Sequence, residues 1–282
     1  MRNFKIVVLL VFLFLLLANG VQATLFDGLA AYYTFDGNAL DSSGNGNHGN
    51  FNNATYSTDR FGNPNSAAVF NQLGDTYVRV ADSQSLDITG PITLATWVNA
   101  DIYQYFRVGL IHKRAPSEPS GGYHLMLRGE TGQDMLADFQ LVITNNPLPV
   151  VLAQLQSNTI VNDNSWHHIA GTYDGTTMKM YIDGTLESTL AWSTGYVEND
   201  EPLHIGLFTY DYNDGHGNEP NILNGLMDDV RIYNRALSPS EVQGLSSDSG
   251  NAPVPEPGTI LLFGLGLLGV SRARKNTESK YY

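Results

Sequence analysis

Cysteine is absent from all 282 residues. A disulfide framework, a thiolate zinc site, an iron–sulfur cluster and a cysteine nucleophile are therefore excluded. Charge is scarce too: Asp, Glu, Lys and Arg make up 15% of the chain, against roughly 25% in ordinary soluble domains. Basic residues are the rarer sign, with 15 Lys+Arg against 28 Asp+Glu and a formal net charge of −13. That balance argues against a nucleic-acid partner, whose binding needs Lys and Arg to neutralise phosphates. What is abundant is turn chemistry, with 28 Gly and 25 Asn. The length suits one large β domain or two smaller ones.

The charge is segregated. Residues 1–23 carry Arg2 and Lys5 and no acid, and residues 253–282 carry four basic and two acidic residues. Residues 24–252 are left with 9 basic and 26 acidic side chains, a net of −17. At the N-terminus, Arg2 and Lys5 precede an unbroken apolar stretch over 6–18, and Val21-Gln22-Ala23 offers small residues to a peptidase. This is the pattern of a secretory signal peptide, 1–23, cleaved after Ala23. Thirteen residues at 1.5 Å each reach ~20 Å, short of the ~30 Å hydrocarbon core that a membrane span must cross. At the other end, Pro253, Pro255 and Pro257 lead into an uncharged run over 259–270 and then Arg272, Arg274 and Lys275. Val254-Pro255-Glu256-Pro257-Gly258 with that run and basic cluster resembles a PEP-CTERM sorting signal. The resemblance implies transient inner-membrane association, processing by an exosortase near Pro255-Glu256-Pro257, and display at the surface or in the extracellular matrix of a Gram-negative-type bacterium. The expected layout is signal peptide 1–23, domain 24–247, linker 248–258, and hydrophobic segment with basic tail 259–282.

Between the ends, short apolar or alternating runs recur between turn residues: 30–35, 67–70, 76–80, 92–98, 123–127, 139–143, 166–173, 178–182, 203–207 and 226–233. Such spacing predicts an all-β sandwich. Asp174-Gly175 and Asp183-Gly184 are hairpin signals nine residues apart, and they predict a three-stranded meander over 166–190 with one wet face. Ser238, Pro239 and Glu241 form a capping box, so a short terminal helix is expected to latch onto the sandwich.

Several segments together resemble the laminin G-like, concanavalin A-like jelly roll. They are Tyr33-Thr34-Phe35-Asp36-Gly37-Asn38, Asp41-Ser42-Ser43-Gly44-Asn45-Gly46-Asn47-His48-Gly49, Tyr77-Val78-Arg79-Val80 with Ser85-Leu86-Asp87-Ile88, Thr93-Leu94-Ala95-Thr96-Trp97-Val98, Trp166-His167-His168-Ile169-Ala170-Gly171-Thr172-Tyr173-Asp174-Gly175, Tyr181-Ile182-Asp183-Gly184, and Gly225-Leu226-Met227-Asp228-Asp229-Val230-Arg231-Ile232-Tyr233-Asn234-Arg235-Ala236-Leu237-Ser238. The resemblance implies two antiparallel sheets of jelly-roll topology, frequently a calcium ion, and extracellular binding roles.

Calcium takes six to eight oxygen ligands. The loop 41–47 is dense in them, so Asp41, Asn45 and Asn47 are candidate ligands, with Asp36 a further one. Strict alternation over 226–233 would put Asp228 on the core-facing row with Val230 and Ile232, where a carboxylate needs a cation. The alternatives are an Asx-turn at Asp41 and an ion pair of Asp228 or Asp229 with Arg231 or Arg235. The family pattern implies a structural calcium between the Asp41 loop and the last strand. A second oxygen-rich loop, 209–221, offers Tyr210, Asp211, Tyr212, Asn213 and His216 as glycan ligands, or is simply a solvated loop. Residues 101–105, with Tyr103, Tyr105 and Phe106 nearby, are a third possibility. The β-glucanases of this fold carry Glu-x-Asp-x-Glu on one strand face, and no such run occurs here. Gly-x-Ser-x-Gly and His-Glu-x-x-His are also missing. Trp97 and Trp166 read as core aromatics, and the adjacent His167 and His168 should point to opposite faces. The expected function is a non-catalytic, calcium-stabilised module binding carbohydrate or a matrix partner. The alternatives are a glycoside hydrolase or lyase, or a matrix protein without a discrete ligand.

Overall fold

The computed structural model describes residues 25–53, 55–114, 121–130, 132–144, 150–208 and 221–247. The chain divides into two units, 1–247 and 248–282, and the second lies outside the described residues, as does the expected signal peptide. Two antiparallel sheets build the first unit. The eight-stranded sheet runs β13 (Thr185–Ala191), β12 (Thr177–Ile182), β11 (Trp166–Tyr173), β6 (Ile92–Ala100), β17 (Gly225–Tyr233), β4 (Ala67–Phe70) and β3 (Tyr56–Ser57). Its eighth strand, β1 (Leu29–Tyr33), also pairs with β17. The seven-stranded sheet runs β10 (Val150–Ile160), β9 (Met135–Thr144), β8 (Gly122–Gly129), β7 (Arg107–Arg114), β14 (Leu203–Ile205), β5 (Tyr77–Val80) and β2 (Gly49–Asn52). A small separate ladder joins β15 (Leu207–Phe208) to β16 (Asn221–Ile222).

The inner faces meet in one core. Leu94, Val98, Ile169, Met180 and Val230 from the first sheet face Val78, Leu125, Phe139, Leu141 and Ile205 from the second. Each such side chain contributes about 1.5–3 kcal/mol when fully buried. In a chain without cysteine, this burial is the main source of cohesion. Side-chain hydrogen bonds tie β10 to β13 across the sandwich edge, one of them from the Ser188 hydroxyl to the Gln156 carbonyl. Where β10 slips register after Gln156, Glu187 accepts hydrogen bonds from the amides of Asn158 (2.6 Å) and Thr159 (3.1 Å) and from the Thr159 hydroxyl (2.5 Å). Backbone donors that lost ladder partners at the irregularity are thereby satisfied.

The expected meander is present as β11–β12–β13. At its second turn Asp183 (φ 51°) and Gly184 (φ 77°) both take the left-handed region, as a tight primed turn requires. The first turn differs. Its three residues 174–176 use positive φ only at Gly175, and the Asp174 carboxylate accepts the amides of Thr176 and Thr177. The face expected to be wet is partly dry, because the helix α1 (Pro239–Ser247) covers it and Tyr181 is buried. Val242 and Leu245 of α1 pack with Leu29, Ala95, Ala170, Tyr181 and Tyr233. The capping box forms as its residues dictate. The Ser238 amide donates to the Glu241 carboxylate (2.8 Å), and the Glu241 amide donates to the Ser238 hydroxyl (3.3 Å).

The largest departure from simple alternation is in β17. Asp228 pairs with Trp97, but the next register pair is Arg231 with Ala95, so two residues of β17 oppose one of β6. Asp229, at φ 51°, is the bulged residue. The bulge leaves Val230 and Ile232 in the core and turns Asp228 outward beside Trp97. Asp228 and Asp229 then lie on the same outer face, where Arg60 reaches both. The Arg60 guanidinium also lies 4.6 Å from the Trp97 ring centre, so Trp97 is half-buried under a cation rather than in the core.

Candidate functional site

The expected calcium ligands are not gathered into one cage. The Asp41 carboxylate accepts the amides of Tyr32 (3.0 Å), Ser43 (2.9 Å) and Asn47 (2.9 Å) and the Ser43 hydroxyl (2.8 Å). Its oxygens therefore face four donors, the Asx-turn alternative in elaborated form. The Asn45 and Asn47 amides both donate to the Ala30 carbonyl (3.1 and 2.8 Å). Asp36 is exposed in a turn, and Asp228 faces the Arg60 guanidinium. Asp229 pairs with Arg231 (3.1 Å) and accepts the Tyr32 hydroxyl (2.5 Å). Among the described residues no group of three or more His, Asp or Glu side chains could hold a metal. The oxygens of Asp41, Asn47 and Asp228 are poor calcium ligands as placed, because N–H and O–H donors face the first two and the Arg60 guanidinium faces the third. A tightly held ion at 1,000-fold over its Kd would add about 4 kcal/mol, or roughly 10 °C for a domain of this size. Exchange into EDTA is expected to move the thermal midpoint by less than about 2 °C in a scan of the purified chain, and a drop near that larger figure would restore calcium to the fold.

Tyr210, Asp211, Tyr212, Asn213 and His216 lie outside the described residues, but the stem that leads to them does not. The β15–β16 ladder crosses the outer face of the seven-stranded sheet. It comes so close to β7 that a Cβ at Gly109 would sit 2.3 Å from the Leu207 carbonyl oxygen. Phe208 then stacks on His124 (ring centres 5.7 Å, 12°) and meets His112 edge-on (4.8 Å).

That outer face carries a polar row that the sequence reading missed. His204, His112, His124, Gln140 and Gln154 are register partners across β14, β7, β8, β9 and β10. Period-two polar positions were the available signal: His124 and Arg128 in β8, Asp138 and Gln140 in β9, Gln154 and Gln156 in β10. Burial pushes His204 down to about 4, helped by Arg79. Burial, with His112 and Arg114 nearby, holds His124 well below the ordinary histidine value. Asp138 is fully buried on this face. Its Oδ2 accepts the side-chain amides of Gln154 (2.6 Å) and Gln156 (3.2 Å) and lies 3.6 Å from the Arg128 guanidinium. Burial raises its pKa above the usual carboxylate range, an effect its polar neighbours only partly offset.

At the rim of this face is a cavity of about 530 Å³ lined by Arg128, Glu130, Gln133, Asp134, Leu136 and Gln156. The loop that walls it is held by Tyr103, whose ring would lie 3.2 Å from a Cβ on Gly132. Tyr103 itself is 59% exposed. Gln104, fully buried beside it, fixes the segment by bonding the Asn224 amide (3.0 Å) and carbonyl (2.6 Å). Side-chain amides, a guanidinium and carboxylates around one hollow, with an exposed tyrosine on the neighbouring loop, are groups that recognise sugar hydroxyls and ring faces. A second cavity of about 590 Å³ lies by the Asp41 loop, among Ala30, Ser43, Asn45, Ser85, Asp87 and Asn234. Several of its polar groups already serve structure: Asn45 donates to Leu29 and Ala30, Ser85 pairs with Asn47, and Asp87 lies 3.1 Å from the Lys113 ammonium. Its lining includes one aromatic side chain, the half-buried Phe26. The rim cavity is the stronger candidate.

The sequence over residues 72–243, most of the sandwich just described, matches the family model of the concanavalin A-like lectin/glucanases superfamily. The chain belongs to that superfamily. This concanavalin A-like chain also matches the PEP-CTERM protein-sorting motif over residues 253–275. No curated protein matches it. Among solved structures it is similar to the binding domain of Paraclostridial Mosquitocidal Protein 1 (TM-score 0.60, 16% identity, 79% of this chain and 52% of that one). It is also similar to domain 4 of AbnA, a GH43 extracellular arabinanase from Geobacillus stearothermophilus, in complex with arabinotriose (TM-score 0.55, 21% identity, 78% of this chain and 98% of that one). A third similarity is to the ligand-binding domain of botulinum neurotoxin serotype D in complex with N-acetylneuraminic acid (TM-score 0.54, 14% identity, 80% and 52%). The chain spans about half the length of the two toxin domains. At these identities the likeness shows the fold. Among the described residues of this concanavalin A-like chain, no helix is long and apolar enough to cross a membrane.

Proposed function

We propose that this protein is an exported, non-catalytic carbohydrate-binding module held at the cell surface or in the extracellular polysaccharide matrix. The observation that carries the reading is the rim cavity on the outer face of the seven-stranded sheet, with amide, guanidinium and carboxylate groups beside the exposed Tyr103. The arabinanase domain of the same fold, solved with arabinotriose, supports a sugar as ligand. The sorting motif supports export, transient inner-membrane association and exosortase processing near Pro255-Glu256-Pro257. Calcium is left out of the reading, because the expected ligands already serve one another. The most enclosed carboxyl near the cavity, Asp138, is fully buried and bound by two glutamines, which suits it to holding the sheet face in shape rather than to proton transfer. The test is a glycan array on the purified chain, followed by incubation of every bound polysaccharide with an assay for new reducing ends. Binding without cleavage is the expected result. Release of reducing ends would make the protein a hydrolase, and an array with no bound glycan would leave a structural matrix role.

A further inference from the structure

We propose that the rim cavity selects neutral glycans over uronate-bearing ones, with Tyr103 as its stacking platform; this rests on the carbohydrate-binding reading and names the class of sugar. The argument is one of charge. Arg128 lines the cavity, and its side chain is 34% exposed. Its charge is answered from beneath by Asp138 at 3.6 Å. Arg107 stands directly across from Arg128 on β7, with its guanidinium 5.0 Å from the Phe106 ring. Against these two cations stand three carboxylates: Asp138, and Glu130 and Asp134 on the walling loop. Glu130 and Asp134 are exposed, and no ion pair among the described residues engages either. The immediate balance is therefore negative, inside a domain segment whose net charge is −17. A chain of sugar carboxylates approaching this rim meets like charge over its whole length, a penalty that salt screens within a Debye length of about 10 Å.

What is left for affinity suits an uncharged sugar. Gln133 and Gln156 can each donate and accept towards hydroxyls. Leu136 gives an apolar floor, and the exposed Tyr103 packs against Gly132 of the loop beside the cavity. A pyranose or furanose has one face of C–H groups that packs on such a ring, while its hydroxyls reach the amides. The geometry of Tyr103 is not accidental to the loop. Gly132 takes φ 71° and lacks a side chain at the point where the tyrosine ring rests, and its amide bonds the Gln104 carbonyl (3.0 Å). The platform and the wall are thus tied to each other.

The experiment measures binding of the purified chain to four neutral polysaccharides (arabinan, xylan, dextran and mixed-linkage glucan) and two polyuronates (polygalacturonate and alginate), at low and at high salt. At least one neutral polymer is expected to bind, and both polyuronates to bind at least tenfold more weakly at low salt. Tyr103→Ala and Gln156→Ala should each weaken the neutral interaction about tenfold with unchanged thermal midpoints. Leu73→Ala, at an exposed apolar residue on a different loop, should leave it unchanged. The double variant E130Q/D134N should narrow the gap to the polyuronates. Polyuronates bound as tightly as the neutral polymers would overturn the proposed selectivity and leave the carbohydrate-binding reading intact. Full binding by both Tyr103→Ala and Gln156→Ala would overturn the assigned place. Failure of all six polymers, with the glycan array also blank, would overturn the functional reading and this inference together.

Discussion

Replacing Arg60 with alanine is expected to destabilise the sandwich by about 3–5 kcal/mol, the range for a buried ion pair that loses one partner. One guanidinium nitrogen bonds Asp228 and the other bonds Asp229 at 2.7 Å, and the side chain is almost wholly enclosed. Its planar face is used as well, lying between the rings of Phe61 (4.3 Å) and Trp97 (4.6 Å). Alanine would leave two adjacent carboxylates buried with only Arg231 nearby. Arg60→Lys should recover little, since an ammonium cannot bond two carboxylates in a fork or stack between two rings. Asp228→Asn in the Arg60→Ala background should restore part of the loss. Burial and the charge of Asp229 push Asp228 upward, so a neutral group is better tolerated there than at Asp229, which Arg231 and Arg60 hold low against its burial. Urea unfolding of the three variants checks this. An Arg60→Ala midpoint equal to that of the unaltered chain would show that the bulge in β17 does not depend on the cation.

Acid is expected to weaken the fold well above the carboxylate range. His168, fully enclosed beside Trp97, is pushed down to about 3 by burial and by Arg231. His204 is pushed down to about 4, and His124 lies well below its ordinary value. A group with a depressed folded pKa contributes stability above the unfolded value, near 6.5, and that contribution is lost as pH falls towards the folded value. Between pH 7 and 5 His168 and His204 should each cost about 2 kcal/mol, and His124 contributes with the same sign. His167 has the opposite sign. Its hydrogen bond to Asp183 (2.9 Å) raises its pKa, so its contribution is complete below about 6.5 and fades as pH rises through the folded value. Asp228 and Asp138, both raised by burial, also favour the folded state as pH falls. With three buried histidines against them, the expected net from pH 7 to 5 is a loss. His168→Phe isolates one contribution. Among the described residues neither ring nitrogen of His168 has a hydrogen-bond partner, so a phenyl ring removes the titration without orphaning a neighbour. Its loss between pH 7 and 5 should be smaller by about 2 kcal/mol; an unchanged pH dependence would mean that His168 is hydrated and charged in the folded state.

The parts of the fold that local pattern governs were legible. Strands at 67–70 and 166–173 sit where alternation and turn residues put them, and the Ser238–Glu241 box is a short-range chemical device. β7, a central strand, was not seen because Arg107, His112, Lys113 and Arg114 break the expected apolar pattern, and the edge strand β10 was not seen because Gln154, Gln156, Ser157 and Asn158 interrupt its apolar start. Their polar positions make sense only beside the matching polar positions of β8 and β9. Asp228 was assigned to the wrong face for a similar reason. Period-two reasoning assumes an unbroken ladder, and the bulge at Asp229 sets Asp228 and Asp229 against Arg60, 168 and 169 residues away in sequence. The candidate site followed the same rule. Tyr103 was noticed as one of a local aromatic group, but the cavity needs β8, β9, β10 and the 129–134 loop at once. The Asp41 loop looked like a cation site because its oxygens are countable in sequence, whereas the donors aimed at them are not.

The measurement that bears most directly on the central claim is an amide chemical-shift map by solution NMR, titrating arabinotriose and a neutral oligosaccharide that binds on the array. If the rim of the seven-stranded sheet is the site, shifts will concentrate at Tyr103, in the loop 129–134, and at Arg128, Leu136 and Gln156. Shifts gathered instead around Ala30, Asn45 and Ser85 by the Asp41 loop would contradict it.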